Sequence, residues 1–299
     1  MASPPETWPL RAASRFVTVD GLRWHVQRLG AGPAVLLLHG TGAATHTWRG
    51  LAPRLAERFT VIAPDLPGHG FTARPSDDRG LSMTGMASAV QLLLHRIRVT
   101  PVLGVGHSAG AAVLARMCLD GSLDLEGLVS LNGALLELPG LPRMVFSPMA
   151  RLLAANPLVP HLFAWRARDR SAVERLVEST GSRLDAAGIE HYARLVRDPQ
   201  HVAGALGMMA QWDLASLERM LPDLAVPLLL LVGGRDRTLP PSEAKRVQGV
   251  LPAAELVELP ELGHLAHEEQ PAAVAQLIVE FAARCGVRAG TRRGSVPRA

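Results

Sequence analysis

Ser108 lies in the stretch "LGVGHSAGAAV", with Gly106 before it and Gly110 after it. A serine hydroxyl is a weak nucleophile until a base takes its proton, and the base needs an acid to orient it. The spacing Gly-x-Ser-x-Gly suits a sharp strand-to-helix turn that lifts the serine on a strained backbone. A side chain two positions to either side would collide with the neighbouring strand or helix, and glycine removes that collision. A glycine-rich turn with an incidental serine would show the same five residues, so the pattern needs partners. Asp236 follows the apolar run "PLLLLVGG", and His264 follows "ELVELPELG". Both therefore sit where a strand ends. Together the three could move a proton and attack an acyl carbon.

Rivals for each role are present. Asp236 in "GGRDRT" has the setting of an ordinary turn or cap residue. Asp213 and Asp223 lack a strand directly before them, and Asn132 ends a strand but is not an acid. His267 is the alternative base, but His264 comes straight after Gly263 and the strand. A developing oxyanion needs two backbone N–H groups. One is expected from Ala109, next to the serine. The other is expected from "HGTGA", with Thr41 ahead of Gly42. His39 reads as a brace for that loop.

The elements that must hold these residues are visible as hydrophobic rhythm. "RFVTV" and "LRWHVQRL" flank Asp20-Gly21 and predict a hairpin. "PAVLLLHG", "TVIAPDLPGHG", "PVLGVG", "LEGLVSLNGA" and "VPLLLLVGGRD" are apolar runs fit for strands buried on both faces. Helices are expected over "TWRGLAPRLAERF", "SMTGMASAVQLLLHRI", "PSEAKRVQGVL" and "PAAVAQLIVEFAARC". Strand–helix alternation of this kind implies a mostly parallel sheet with helices on both faces. The rhythm breaks over 135–215, where prolines interrupt short helical runs. The expected division is an α/β core over 15–134 and 216–287, a helical cap over 135–215, and flexible termini at 1–14 and 288–299.

The chain has 299 residues, 48% hydrophobic and 19% charged, with a formal net charge of +4. Those values fit a large core and argue against global disorder. No basic-aromatic stripe of a nucleic-acid binder is present. The two cysteines, Cys118 and Cys285, form no C-x-x-C pair, so neither a metal nor a disulfide framework is expected. No cofactor is expected either. No signal peptide and no run long enough to span a bilayer is seen. A cytoplasmic protein able to touch a membrane surface is the expectation. The tail with Arg288, Arg292, Arg293 and Arg298 reads as a solvated end, or more sharply as a weak attraction to anionic lipid.

The landmarks "LLLHGTGA", "APDLPGHGFT", "GHSAGAA", "VGGRD" and "LGHLAHEEQP" resemble the α/β-hydrolase superfamily over about 15–287, in the chain order Ser, Asp, His. "THTWRGLAPRLAERF", "GHSAGAAVLARMCLDG", "TGSRLD" and "GMMAQWDL" are similar to the magnesium-chelatase accessory family of bacteriochlorophyll biosynthesis. That resemblance implies work near magnesium insertion into a porphyrin, in association with a magnesium chelatase or a tetrapyrrole. No G-x-x-x-x-G-K-[ST] loop occurs, so the chain is not itself an ATP-driven chelatase subunit.

Specificity is expected in the cap. Met144, Phe146, Met149, Leu152, Leu158, Leu162, Phe163 and Trp165 read mostly as residues that pack the cap onto the core. Gly42, Met209 and Trp212 are the candidates for an apolar substrate pocket, and Trp212 or Trp165 is expected above Ser108. Arg166, Arg168 and Arg170 read as a solvated face, or as partners for tetrapyrrole carboxylates. The expected function is a serine hydrolase acting on an ester or similar acyl bond of a small apolar molecule. A non-catalytic porphyrin carrier on the same fold, C–C bond hydrolysis and acyl transfer are the other readings.

Overall fold

The computed structural model describes residues 3–137, 153 and 156–287. Met144, Phe146, Met149, Leu152 and the arginine tail from Arg288 onward lie outside the described residues.

One eight-stranded sheet runs in the order β1-β2-β4-β3-β5-β6-β7-β8. The strands are β1 (Ser14–Val19), β2 (Leu22–Leu29), β3 (Ala34–Leu38), β4 (Thr60–Pro64), β5 (Pro101–His107), β6 (Gly127–Leu131), β7 (Leu228–Gly233) and β8 (Glu255–Leu259). β1 and β2 pair antiparallel, β2 meets β4 antiparallel, and every pair from β4 to β8 is parallel. The β1–β2 turn places Asp20 at φ 47° and Gly21 at φ 75°, as a primed turn requires. β3 is followed by β4 on one side and later by β5 on the other. The chain thus reverses its winding between β3 and β5, which opens a crevice at their carboxyl ends.

The two faces of the sheet make two cores. Along β3, Leu36 and Leu38 join one cluster and Val35 and Leu37 the other, following the strand period of two. The first face is covered by α2 (Met83–Ile97) and α3 (Ala109–Leu119), the second by α1 (Leu51–Leu55) and a helix over Pro271–Arg284. Ser82 caps α2 by accepting from the Gly85 N–H. Trp24, Trp48, Phe59 and Phe281 are each buried to 2% exposure or less. Burial of a side chain this large stabilises by roughly 2–3 kcal/mol.

Two expectations near the start change. The helix read over 47–59 is split into a 3-10 turn (Thr45–Trp48) and α1. Pro53 explains the break, because it has no N–H to offer the Arg49 carbonyl. The flexible start expected over 1–14 does not hold at Trp8. Trp8 is 2% exposed, and its Nε1–H donates to Thr45 Oγ1 at 3.2 Å.

Between β6 and β7 the described residues hold helices and no strand: α4 (Leu158–Arg166), α5 (Arg170–Ser179), α6 (Ala186–Val196), α7 (Pro199–Ala210) and α8 (Leu214–Met220). An aspartate starts each of the last four. Asp169, Asp185, Asp198 and Asp213 accept backbone N–H groups of the first turn. Pro199 follows Asp198 at the first helical position, where a missing N–H costs nothing. α6 is tied to the core through Tyr192, whose hydroxyl donates to buried Glu268 at 2.8 Å. The last two core helices after the cap are α9 (Pro241–Val250) and α11 (Pro271–Arg284), with the short α10 (Ala266–Glu269) before the latter. The expectation that the cap's apolar residues pack inward fails on α4. Leu158, Leu162, Phe163 and Trp165 are all exposed there.

Candidate active site

β5 ends at His107, Ser108 turns, and α3 begins at Ala109. Ser108 has φ 50° and ψ −118°, outside the regions open to ordinary L-residues. A Cβ on Gly106 would lie 2.4 Å from the Ala111 backbone, and one on Gly110 would lie 2.1 Å from the Leu38 carbonyl oxygen. Glycine is therefore obligatory at both flanks. The Ser108 carbonyl accepts from the N–H of Ala111 at 3.2 Å and of Ala134 at 3.1 Å. These bonds hold a conformation that local preference disfavours.

Asp236 lies just past β7 and His264 just past β8. The structure brings them together: His264 Nδ1 and Asp236 Oδ2 are 2.7 Å apart, and the carboxylate is fully buried. The other carboxylate oxygen, Oδ1, accepts from the N–H groups of Thr238 (2.7 Å) and Leu239 (2.9 Å). These two bonds set the plane of the carboxylate. The His264 ring stacks at a tilt on His107, centroid to centroid 4.7 Å, and so stands beside the residue that precedes Ser108.

Two residues missed as contributors hold the histidine loop. Asn132 Nδ2–H donates to the carbonyls of Gly263 (3.1 Å) and His264 (2.7 Å), and its Oδ1 accepts from the Gly233 N–H at 2.7 Å. One amide thus links the ends of β6 and β7 to the loop after β8. His107 Nε2–H adds a bond to the His264 carbonyl at 3.0 Å. Burial, with His267 and His264 close by, pushes the His107 pKa well down, so that ring is neutral. An asparagine closing an apolar run was all the sequence offered for Asn132, and its φ of 42° emerges only in the fold.

The loop after β3 lies against the turn. A Cβ on Gly40 would meet the Ser108 Cβ at 2.9 Å. His39 is a brace. Its Nδ1–H donates to the Gly40 carbonyl at 2.8 Å and its Nε2 accepts from the Leu66 N–H at 2.9 Å. Burial lowers its pKa to about 4, which keeps it neutral. Thr41 is half-buried, and its hydroxyl touches Met208 Sδ at 3.4 Å. Gly42 has φ 74°, and its carbonyl accepts from His201 Nε2–H of α7 at 3.0 Å. His201 Nδ1 in turn accepts from the Gly70 N–H at 3.0 Å. Burial lowers the His201 pKa to about 4.

The loop over 65–72 is organised by Asp65. It accepts from the N–H of Thr45 (2.6 Å) and of Phe71 (2.8 Å) and pairs with His25 at 2.8 Å. Burial alone would raise its pKa, but His25 and the donated bonds outweigh that and hold it well below the usual carboxylate range.

The rivals have other work. His267 is fully buried, with Nε2 at 2.7 Å from Thr47 Oγ1, and burial lowers its pKa to about 3. Asp213 caps α8, and Asp223 ends a 3-10 turn. Met209 is half-buried on α7, and its neighbour Met208 is the methionine that reaches Thr41. Trp212 is partly buried against the core that includes α3, and Trp165 is 60% exposed on α4.

Among the described residues no cluster of metal-ligating side chains is present. No described helix is long and apolar enough to cross a membrane.

Known proteins are similar to this chain in sequence and fold. The chain is 37% identical to a magnesium-chelatase 30 kDa subunit of Rhodobacter capsulatus, over 93% of this chain and 97% of that one. It is 28% identical to a pimeloyl-[acyl-carrier protein] methyl ester esterase of Vibrio vulnificus, over 88% of this chain and 98% of the relative. An α/β-hydrolase-fold protein from Burkholderia ambifaria superposes with a TM-score of 0.76 at 23% identity, covering 90% of this chain and 97% of that one. The sequence profile of the alpha/beta hydrolase family matches residues 35–277, and the chain belongs to that family.

Proposed function

We propose that the protein is a serine hydrolase acting on an ester or similar acyl bond of a small apolar substrate, in the service of magnesium-porphyrin and bacteriochlorophyll synthesis. Ser108 is the nucleophile. His264 takes its proton on Nε2 and returns it to the leaving group, while Asp236 fixes the Nδ1–H tautomer and steadies the imidazolium. The N–H groups of Ala109 and Thr41 bind the oxyanion. A water activated by His264 then releases the acyl group, and Gly42, Met209 and Trp212 border the substrate.

The observation that carries this reading is the buried 2.7 Å contact of Asp236 with His264, whose ring packs on His107, the residue that precedes the strained Ser108 in the chain. A structural ion pair alone gives no reason for the strained backbone at Ser108. The porphyrin context rests on likeness to the chelatase subunit, and the esterase relative supports acyl chemistry on this scaffold.

A fluorophosphonate probe tests the assignment on purified protein. It should modify Ser108 in the wild type and leave Ser108→Ala unmodified. Equal labelling of both, or none of the wild type beside a reacting control esterase, overturns the mechanism. In a phototroph whose own copy is replaced, Ser108→Ala should lower bacteriochlorophyll at unchanged protein level. Normal pigment with Ser108→Ala, and lost pigment with Trp212→Asp, would make the protein a porphyrin carrier.

A further inference from the structure

Helix α4, "LVPHLFAWR", turns four of its large apolar residues outward. Its buried residue, Pro160, and its packing on α7 define the inner face. Leu158, Leu162 and Trp165 follow the spacing i, i+4, i+7 and form one outer stripe, 72%, 56% and 60% exposed. Phe163 is 45% exposed as well, but lies about 100° round the helix from Leu162. A contiguous apolar patch left open to water marks a contact surface.

The rim of the stripe is basic. Arg166 ends the helix and Arg168 follows, both exposed, and among the described residues neither meets a carboxylate. The nearby acids are already matched. Glu174 pairs with Arg170 at 3.0 Å, and Asp169 faces Arg175 at 3.6 Å. Two leucines and a tryptophan along one face, with guanidinium groups at its edge, make a surface that suits the boundary between headgroups and acyl chains. The rings sit at headgroup depth, and the arginines reach anionic headgroups.

We propose that α4 docks the cap onto an anionic lipid surface. A protein partner is the less favoured occupant, since one short convex helix falls well below the roughly 800 Å² per side of a stable protein interface. A bilayer asks only for depth. α4 packs on α7, and α7 carries the Met208 that touches Thr41. Docking therefore turns the cap side of the candidate site toward the lipid. Docking stands apart from the hydrolase reading. Delivery of an apolar substrate from the lipid rests on it.

The test uses the full chain and vesicles of phosphatidylcholine, with or without phosphatidylglycerol, in sedimentation. The wild type should bind the anionic vesicles and be released as salt rises to about 0.5 M. Leu162→Ser/Trp165→Ser should weaken partition by about tenfold or more, with an unchanged melting temperature. Arg166→Ser/Arg168→Ser should erase the preference for phosphatidylglycerol. Trp165 emission should shift to the blue on binding, and Trp165→Phe should lose that shift while still binding. Four results overturn the proposal: no partition of the wild type, partition indifferent to the stripe variants, a lipid-free dimer that those variants dissociate, or a fall in their melting temperature. The third would give the stripe to a second copy, and the fourth would bury it within the chain.

Discussion

Asp236 uses each oxygen for a different task. Oδ1 takes two backbone N–H groups and Oδ2 takes His264. Asp236→Asn keeps the first task and reverses the second, because an amide turned this way donates to Nδ1. That selects the wrong tautomer of His264. The expected result is a rate of probe or ester turnover lower by about 10⁴, a loss seen when this substitution is made in other serine triads, with stability nearly unchanged. Equal rates would remove Asp236 from the mechanism. Ser108, Asp236 and His264 stand out in the sequence because each follows an apolar run and a glycine. Asn132 and His107 do not. Their roles are hydrogen bonds to the carbonyl of His264, 132 and 157 positions away. Nothing local in the chain records such a bond.

Among the elements, α7 is one that hydrogen-bonds to the loop after β3. Its His201 joins the Gly42 carbonyl to the Gly70 N–H, and a Cβ on Gly204 would strike the Gly68 carbonyl at 1.9 Å. The helix thus braces the loop whose N–H groups are assigned to the oxyanion. His201→Ala should slow fluorophosphonate labelling of Ser108 by about tenfold or more, since small misplacements of such groups are costly. His201→Gln, which keeps a donor and an acceptor, should recover part of the rate. Unchanged labelling in His201→Ala would reduce the contact to plain packing. Core helices α2, α9 and α11 were readable from periodicity. The helix over 47–59 was not, because Trp48, Leu51, Ala52 and Leu55 keep helical spacing across the break before Pro53. α4 misled in another way. Its letters are those of a core helix, and exposure is a property of neighbours, not of letters.

The whole molecule stores several histidines in neutral form. Burial holds His39 and His201 at about 4 and His69 and His267 at about 3, with His46 and His107 lowered as well. In the unfolded chain such groups titrate near 6.5. The folded values are depressed, so the unfolded state binds more protons between these limits. Stability is full above about pH 6.5 and falls as pH drops toward 4. Each histidine contributes up to about 1.4 kcal/mol per pH unit in that window. Four of them exhaust a typical stability of roughly 5–15 kcal/mol within a few units. The urea midpoint should drop steeply from pH 7.5 to 5.5, with acid unfolding near pH ~5. A flat midpoint over that range would contradict the neutral assignment. The mostly parallel sheet was visible in advance, since strand–helix alternation has few other solutions. The histidine count was visible too, but their burial and charge state needed the packed structure.

The Ser108 carbonyl takes one N–H from α3 and another from Ala134, at the start of the passage into the cap. Leu135 and Leu136 then sink into the same core as α2 and α3, and Leu217 joins it from the far side of the cap. The passage is therefore part of the nucleophile's own scaffold. For transplanting caps between relatives, this fixes where the scissors belong: after Leu136 and before Leu217. A graft cut closer to the serine would exchange its specificity and unpick its turn in the same stroke.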